Sequence, residues 1–281
     1  MFRKTACESP CLTGIEGEED SIGGDMDLKQ LARQYFGAVN RYDVETVTKM
    51  VHPDYIQHNP FVPTGRDAFV SLLPKLASHN SKIINLRMLQ DDDHVIMHHR
   101  WENAEPLGGE ELAAFHIIRF DSDRRIAEHW NVSEPLQTRQ DGERPQVDGP
   151  SDIYASDHTQ EHKTKINALF AELIASSELT RELLKEFFHE DHVLHKINIS
   201  AGLDGLLKQW QKQDMKIQHL HRVFAEGNWV LAIAEGMEEG VSSAFYQLFR
   251  LNKNKIVESW GVTQSIPTTG LANDNTMFGF S

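Results

Sequence analysis

Histidine is the residue type most able to do chemistry in this chain, which holds 15 of them among 281 residues. An unperturbed pKa of about 6.5 lets an imidazole take or give a proton at neutral pH. Two of them lie in segments that alternate like strands. In 111–120, Ala114, His116 and Ile118 share one face, and Phe115, Ile117 and Arg119 the other. In 125–133, Ala127, His129 and Asn131 lie opposite Ile126, Glu128, Trp130 and Val132. A hairpin turning at 121–124, on Asp121-Ser122-Asp123, sets His116 opposite His129, with Asn131 two residues along the same face. Two such imidazoles can exchange protons, whereas Asn131 can donate and accept hydrogen bonds but cannot take a proton.

Other polar groups read differently. His98-His99 and His219-Leu220-His221 raise the question of a metal, but a metal site wants three or four convergent ligands, so none is expected. Cys7 and Cys11 form a lone C-x3-C pair in a polar stretch and read as incidental thiols. Asp91-Asp92-Asp93 reads as a solvated hairpin turn. Glu128 and Glu258 alternate with apolar side chains, which predicts a salt bridge or a strand-end hydrogen bond for each.

The elements that must position these groups follow from composition and periodicity. With 28 basic against 42 acidic residues, a net charge of −14, no basic surface for nucleic acid is expected. A hydrophobic content of 40% supports sizeable cores, and no apolar run reaches the roughly 20 residues of a membrane span. Met1-Phe2-Arg3-Lys4 is not followed by an apolar stretch, so no secretory signal is expected. Two cysteines make no disulfide framework, and the expected location is cytoplasmic. Residues 1–25 read as a flexible acidic tail, and 138–162, with Asp141-Gly142, Pro145 and Asp148-Gly149-Pro150, as a linker. They carry a net −4 each and leave two domains, 26–137 and 163–281.

Each domain opens with helices and closes with strands. Leu28, Leu31, Ala32, Tyr35, Phe36 and Val39 form one helical face. Asp43 caps a short helix through Val47, Met50 and Val51, and a third follows Gly65-Arg66-Asp67 until Pro74 kinks or ends it. Strands are predicted at 82–89, 94–101, 111–120 and 125–133. In the second domain, Ile166, Leu169, Phe170, Leu173 and Ile174 mark a helix, and Thr180 caps one carrying Leu183, Leu184, Phe187 and Phe188. Strands follow at about 216–224, 228–235, 243–251 and 255–264. Helices first and an antiparallel sheet afterwards make an α+β fold.

The domains are copies. Asp54, His58, Gly65 and Asp67 match Asp191, His195, Gly202 and Asp204 at an offset of 137. Ile126, Glu128, Trp130 and Val132 match Ile256, Glu258, Trp260 and Val262 at an offset of 130.

The run Tyr55-Ile56-Gln57-His58-Asn59-Pro60, with Gly65, Arg119 and Ile126-Ala127-Glu128-His129-Trp130-Asn131-Val132, resembles the SnoaL-like polyketide cyclase family of the nuclear transport factor 2-like superfamily. The ending Asn273-Asp274-Asn275-Thr276-Met277-Phe278 resembles the C-terminal tail of its members. The resemblance implies two tandem cone-shaped domains, each with helices packed on a curved antiparallel sheet around an apolar pocket. It also implies cyclases that perform intramolecular aldol condensation, with isomerases, lyases and binding-only proteins among wider relatives, and no cofactor. In the cyclases a strand histidine and an aspartate act together, because a carbanion beside a carbonyl needs a base and a donor aimed at the developing oxyanion. His116 matches that histidine, but Asn131 stands where the aspartate would be. Carried over in the same way, His58 lies at the pocket mouth and, with His129, is a candidate relay, while Tyr55, Asn59 and Trp101 line the cavity.

The second copy keeps His195, but Lys196-Ile197 replace Asn59-Pro60, and Ser259 and Gly261 replace His129 and Asn131. Gln247 replaces His116 if the hairpin turn has lost one residue, and Tyr246 does if it has not. This half reads as structural or as a modified pocket. Phe115, Ile117, Trp130 and Val132 form an apolar face away from the pocket, and Ile256, Trp260 and Val262 repeat it. Relatives pair through that face, so the duplication is expected to make an intramolecular pseudo-dimer. Two functions follow: a cofactor-independent cyclase- or isomerase-type enzyme acting on a small hydrophobic carbonyl compound, or a non-catalytic ligand-binding or interaction module of the same fold.

Overall fold

The structure, a computed structural model of the chain, describes residues 26–138, 145–176 and 179–280. The acidic tail, Cys7 and Cys11 lie outside the described residues. Helix α1 (Leu28–Arg41) starts at a capping box in which Asp27 and Gln30 each accept the other's backbone N–H, and it ends at left-handed Tyr42. Its predicted stripe is buried from Leu31 to Val39, with Leu28 half-buried at the rim. Asp43 caps α2 (Val44–Met50) through the Thr46 N–H. After strand β1 (Val51–Gln57) come two short helices, α3 (Arg66–Val70) and α4 (Leu73–Ser78). Pro74 sits in the first turn of α4, where its missing N–H costs nothing, so it opens a helix rather than ending one. The hairpins β2 (Lys82–Asp91), β3 (His94–Glu102), β4 (Glu111–Phe120) and β5 (Ile126–Pro135) complete the first half.

The second half repeats the plan with α5 (Thr159–Ser176), α6 (Arg181–Phe187), β6 (Phe188–Leu194), α7 (Leu203–Lys212), β7 (Lys216–Glu226), β8 (Trp229–Glu238), β9 (Val241–Asn252) and β10 (Lys255–Ser265). Thr180 caps α6, as predicted. Phe188 begins β6 instead of ending the helix, and Ile174 lies 39% exposed on the outer side of α5. The two five-stranded sheets have the same order, β1-β5-β4-β3-β2 and β6-β10-β9-β8-β7. The fold is therefore α+β and duplicated, and the eight predicted strands end within three residues of those observed.

The sheets are not wholly antiparallel, because β1 and β6 add a parallel edge strand against β5 and β10. A second departure is a bulge. Phe120 pairs with Ile126 but Arg119 with Glu128, leaving Ala127 extra, and Val257 is extra in the same way in β10. One extra residue reverses the side-chain faces before it. Ile126 and Ile256 accordingly belong to the helix-side cores, not to the opposite face expected for them.

That opposite face is apolar in both sheets and is buried between them. Phe115, Ile117, Trp130 and Val132 join Trp229, Tyr246, Trp260 and Val262 in one cluster, each no more than 1% exposed. Strand β2 meets β7, and β5 meets β10.

The described part of the expected linker is fastened in place. Arg87 donates to the carbonyls of Pro150 (2.7 Å) and Asp148 (2.6 Å), while Trp260 Nε1 donates to Asp148 (2.8 Å) and Trp229 Nε1 to Asp152 (2.9 Å). Gly149 has φ +106°, and a Cβ there would come within 2.8 Å of the Trp260 ring. The segment after β10 crosses the other way. Asn273 donates to the carbonyls of Asn59 and Val62, Asn275 to that of Gln57, and Phe280 stacks on Trp130 at 4.6 Å. Each repeat thus ends in a segment that docks on the other repeat.

Candidate active site

Alternation along β4 and β5 sends His116, His129, Asn131 and Ser133 to the inner face of the first sheet, beneath α1, α3 and α4. There they line a cavity of about 410 Å³ together with Tyr35, Phe36, Gln57, Asn59 and Trp101. Because of the bulge and a five-residue turn, His116 pairs directly with Asn131, and His129 stands opposite Ile118. The expected register was two residues off. The imidazoles still meet diagonally, His116 Nδ1 to His129 Nε2 at 2.9 Å, within diagonal cross-strand reach.

The contact extends into a chain. Trp101 Nε1–H donates to His116 Nε2 at 3.3 Å, and His129 Nδ1 is hydrogen-bonded to Tyr55 Oη at 2.9 Å. Gln57 Nε2 donates to the same phenol oxygen at 2.9 Å, while its Oε1 accepts the Asn59 N–H at 2.9 Å and so fixes the amide's orientation. An indole can only donate. His116 Nε2 is therefore an acceptor, its proton sits on Nδ1 facing His129 Nε2, and His129 carries its own proton on Nδ1 facing Tyr55.

Burial pushes both imidazoles well below the ordinary histidine pKa. His99 adds to the effect on His116, and His116 and then His58 add to it on His129. His99 is itself fully buried, edge-on to His116 at 4.8 Å, and burial lowers its pKa to about 3. Burial likewise pushes the Tyr55 phenol well up. The chain is thus uncharged at neutral pH, with one imidazole lone pair facing only an indole N–H. Asn131 makes no side-chain hydrogen bond among the described residues.

Of the seven site residues expected from sequence, His116, His129, Asn131, Asn59 and Trp101 line this cavity, and Tyr55 reaches it through His129. His58 does not. It points to the other face of the sheet, stacks on Trp130 at 4.4 Å and pairs with Glu128 at 3.1 Å, while its Nδ1–H donates to the Thr276 carbonyl at 2.7 Å. Adjacent strand residues face opposite ways, so a side chain next to inward Gln57 must face out. Arg119 completes an ion pair with Glu128, and His195, Glu258, Arg250 and Trp260 repeat the same unit. Gln57, His99 and Gln264 were missed. The first shares a strand face with Tyr55, which would have exposed it had β1 been recognised.

His98 and His99 also go to opposite faces, His98 accepting from Arg87 at 2.9 Å. His219 and His221 lie 4.5 Å apart, with His221 stacked on Phe278. No cluster of three or more metal-ligating side chains occurs among the described residues. Asp92 is the exposed turn residue expected, whereas Asp91 is half-buried and takes hydrogen bonds from Lys163 and Ala225 of the second half.

In the second half the register sets Gln247 opposite Gly261, so Gln247 occupies the His116 position. His192 stands where Tyr55 does and is hydrogen-bonded to Ser259 at 2.9 Å. A cavity of about 80 Å³ beside these residues is lined mostly by apolar side chains.

The SnoaL-like domain family matches residues 32–129. Among solved structures, the chain is similar to IdmH of Streptomyces antibioticus, described as a candidate polyketide cyclase, at 19% identity over 39% of this chain and 93% of that one, with a TM-score of 0.34. It is similar to a steroid delta-isomerase of Pseudomonas aeruginosa at 20% identity over 41% and 82% of the two chains, TM-score 0.31. An NTF2-like protein of unknown function from Cytophaga hutchinsonii matches at 11% identity over 40% and 95%, TM-score 0.35. No curated protein matches in sequence. No helix among the described residues is long and apolar enough to cross a membrane.

Proposed function

From a chain whose first half carries a SnoaL-like domain over residues 32–129, we propose a cofactor-independent enzyme that moves a proton on a small apolar carbonyl compound bound in that half. The observation that carries this reading is the run of short contacts Trp101–His116–His129–Tyr55 at the floor of the cavity. His116 Nε2 is the base: as the bound ligand displaces the Trp101 indole N–H from its lone pair, it takes a proton from the carbon beside the carbonyl, and the C–H electron pair moves into an enolate. The resulting imidazolium shares its Nδ1–H with His129 Nε2, which spreads the charge away from the ligand. Asn131, paired opposite His116 and free of protein partners among the described residues, donates to the enolate oxygen. Return of the proton to another carbon gives an isomerisation, and attack of the enolate on a second carbonyl gives a cyclisation.

The apolar inter-sheet layer and the reciprocal crossing of the two end segments support an intramolecular pseudo-dimer, in which the second repeat replaces a second subunit. A binding-only role is the alternative. It is favoured by the low basicity of the two buried imidazoles and by Asn131 in place of an acid.

The test is hydrogen–deuterium exchange at the methyl group of 2-acetylnaphthalene in D2O, followed by proton NMR with the full chain. The wild type is expected to accelerate exchange over buffer, and His116→Gln to lose about 10²–10⁴-fold of that acceleration. Binding of the ketone without accelerated exchange would establish the binding-only role instead.

A further inference from the structure

The cavity in the first half is lined in part by a residue of the second. Gln264, near the end of β10, lines the cavity beside Ser133. Its Oε1 accepts the Ser133 backbone N–H at 3.2 Å, which fixes the amide so that its nitrogen points away from β5. That nitrogen, Nε2, is buried and has no hydrogen-bond partner among the described residues. The pseudo-symmetric position shows that this arrangement is not imposed by the fold. There Glu134 accepts the Thr263 N–H at 3.2 Å with one oxygen, and its other oxygen accepts from Gln146 Nε2 at 2.7 Å, so the group is fully used. Only on the cavity side is a donor left over, and a buried donor without an acceptor costs stability that a ligand oxygen would recover.

We propose that Gln264 is a specificity residue contributed by the second repeat, donating from Nε2 to an acceptor oxygen at the far end of the substrate. This rests on the reading of the cavity as a carbonyl site. Ser133 lies two residues along β5 from Asn131, the partner of His116, roughly 7 Å of strand at about 3.3 Å per residue. The polar groups on this wall run in one line: His129, Asn131, Ser133 and then Gln264. The walls beside the line are apolar, formed by Phe36, Val39, Phe61, Leu76, Ile83 and Leu112. The substrate class that fits is an elongated, flat, apolar molecule of fused-ring length. Its reacting carbonyl lies at the His116 end and a second oxygen, a ketone, ether or hydroxyl, at the other. The second repeat is thereby required for recognition as well as for stability.

The experiment compares two probes by titration calorimetry with the full chain: 2-acetylnaphthalene, and 2-acetyl-6-methoxynaphthalene, which adds an acceptor oxygen at the opposite end. Wild type is expected to prefer the methoxy compound by roughly 3- to 10-fold, the effect of one hydrogen bond. Gln264→Glu keeps the acceptor for the Ser133 N–H but removes the donor, and should bring the ratio to unity or below. Gln264→Met, which removes both functions, should also abolish the preference, and the ratio of two probes on one variant is insensitive to a general loss of folded protein. A wild-type preference that survives in both variants, or no wild-type preference, overturns the assignment of Gln264 while leaving the carbonyl site standing. Failure of the wild type to bind either ketone overturns both.

Discussion

Arg87→Met is expected to destabilise the chain by about 3–5 kcal/mol, the range for breaking a buried, hydrogen-bonded charge network from one side. Arg87 is 3% exposed and donates to the carbonyls of Pro150, Asp148 and Val147 at 2.7, 2.6 and 3.3 Å, and to His98 Nδ1 at 2.9 Å. Its guanidinium lies 4.3 Å from the Trp260 ring centre. Burial lowers its pKa to about 10, against the opposing pull of Glu258 and Asp148, so it stays charged at neutral pH. Each hydrogen bond to a charged donor contributes about 1.5–3 kcal/mol and the ring contact about 0.5–2. The cost of burying the guanidinium offsets much of that gain, so the net is far below the simple total. Methionine restores the apolar volume but takes the Arg87 donor from the Pro150 and Val147 carbonyls and leaves Asp148 with Trp260 alone. Urea titration at pH 7.5, with the slope held equal to wild type, measures the loss directly, and a melting temperature lower by roughly 10 °C should accompany it. Arg87→Lys should recover less than half, because one ammonium cannot span carbonyls that a planar fork reaches together. A loss below about 1 kcal/mol would refute the reasoning, since the segment would then be held by something other than Arg87.

Other perturbations test separate parts of the account. Gly149→Ala should cost more than about 2 kcal/mol in the same titration, because the positive φ and the 2.8 Å approach to Trp260 both oppose a Cβ. His99 is neutral when folded, its pKa lowered by burial to about 3, whereas the unfolded chain protonates near pH 6.5. Its contribution is therefore complete above pH 6.5 and is lost progressively as pH falls toward 3. His99→Leu should accordingly flatten the decline in stability between pH 7 and pH 5, measured by urea midpoints across that range. Glu258 behaves likewise in a lower window. Burial raises its pKa, but hydrogen bonds from His195 and Arg250 outweigh that and bring it to about 2. The stability it adds is present above about pH 4.5 and disappears as pH falls toward 2, so Glu258→Gln should be destabilising at pH 7 and much less so at pH 3.

The parts of the fold written in local periodicity were legible in the sequence. The stripe of α1, the caps at Asp43 and Thr180 and the eight long strands rest on spacing within a few residues, and the duplication on matched residues in the same order at offsets of 137 and 130. Strand β1 escaped notice because it is a half-exposed edge strand containing Pro53, with only Val51, Tyr55 and Gln57 buried, so neither period stands out. That omission carried over into the site. Once Tyr55 and Gln57 are known to face inward, His58 must face outward, toward Glu128 and Trp130. The bulge at Ala127 has no sequence signature, and it moved His129 away from its expected partner and turned Ile126 to the helix side. Glycine, proline and aspartate marked 138–162 as a linker. What fixes its described part is an arginine from β2 and two tryptophans from the second sheet, contacts too distant in sequence for composition to reveal. Gln264 was hidden for the same reason, since it serves a cavity in the other repeat.

The coupled, uncharged pair His116–His129 is what gives the first cavity its chemistry, and nitrogen NMR of the histidine-labelled chain examines it most directly. At pH 7 both rings should show the neutral pattern with the proton on Nδ1, and both should stay neutral well below pH 6.5. His116→Gln should shift the His129 nitrogens by removing the partner that donates to Nε2. A cationic imidazole at either position at pH 7, or a His129 spectrum indifferent to His116→Gln, would contradict the account.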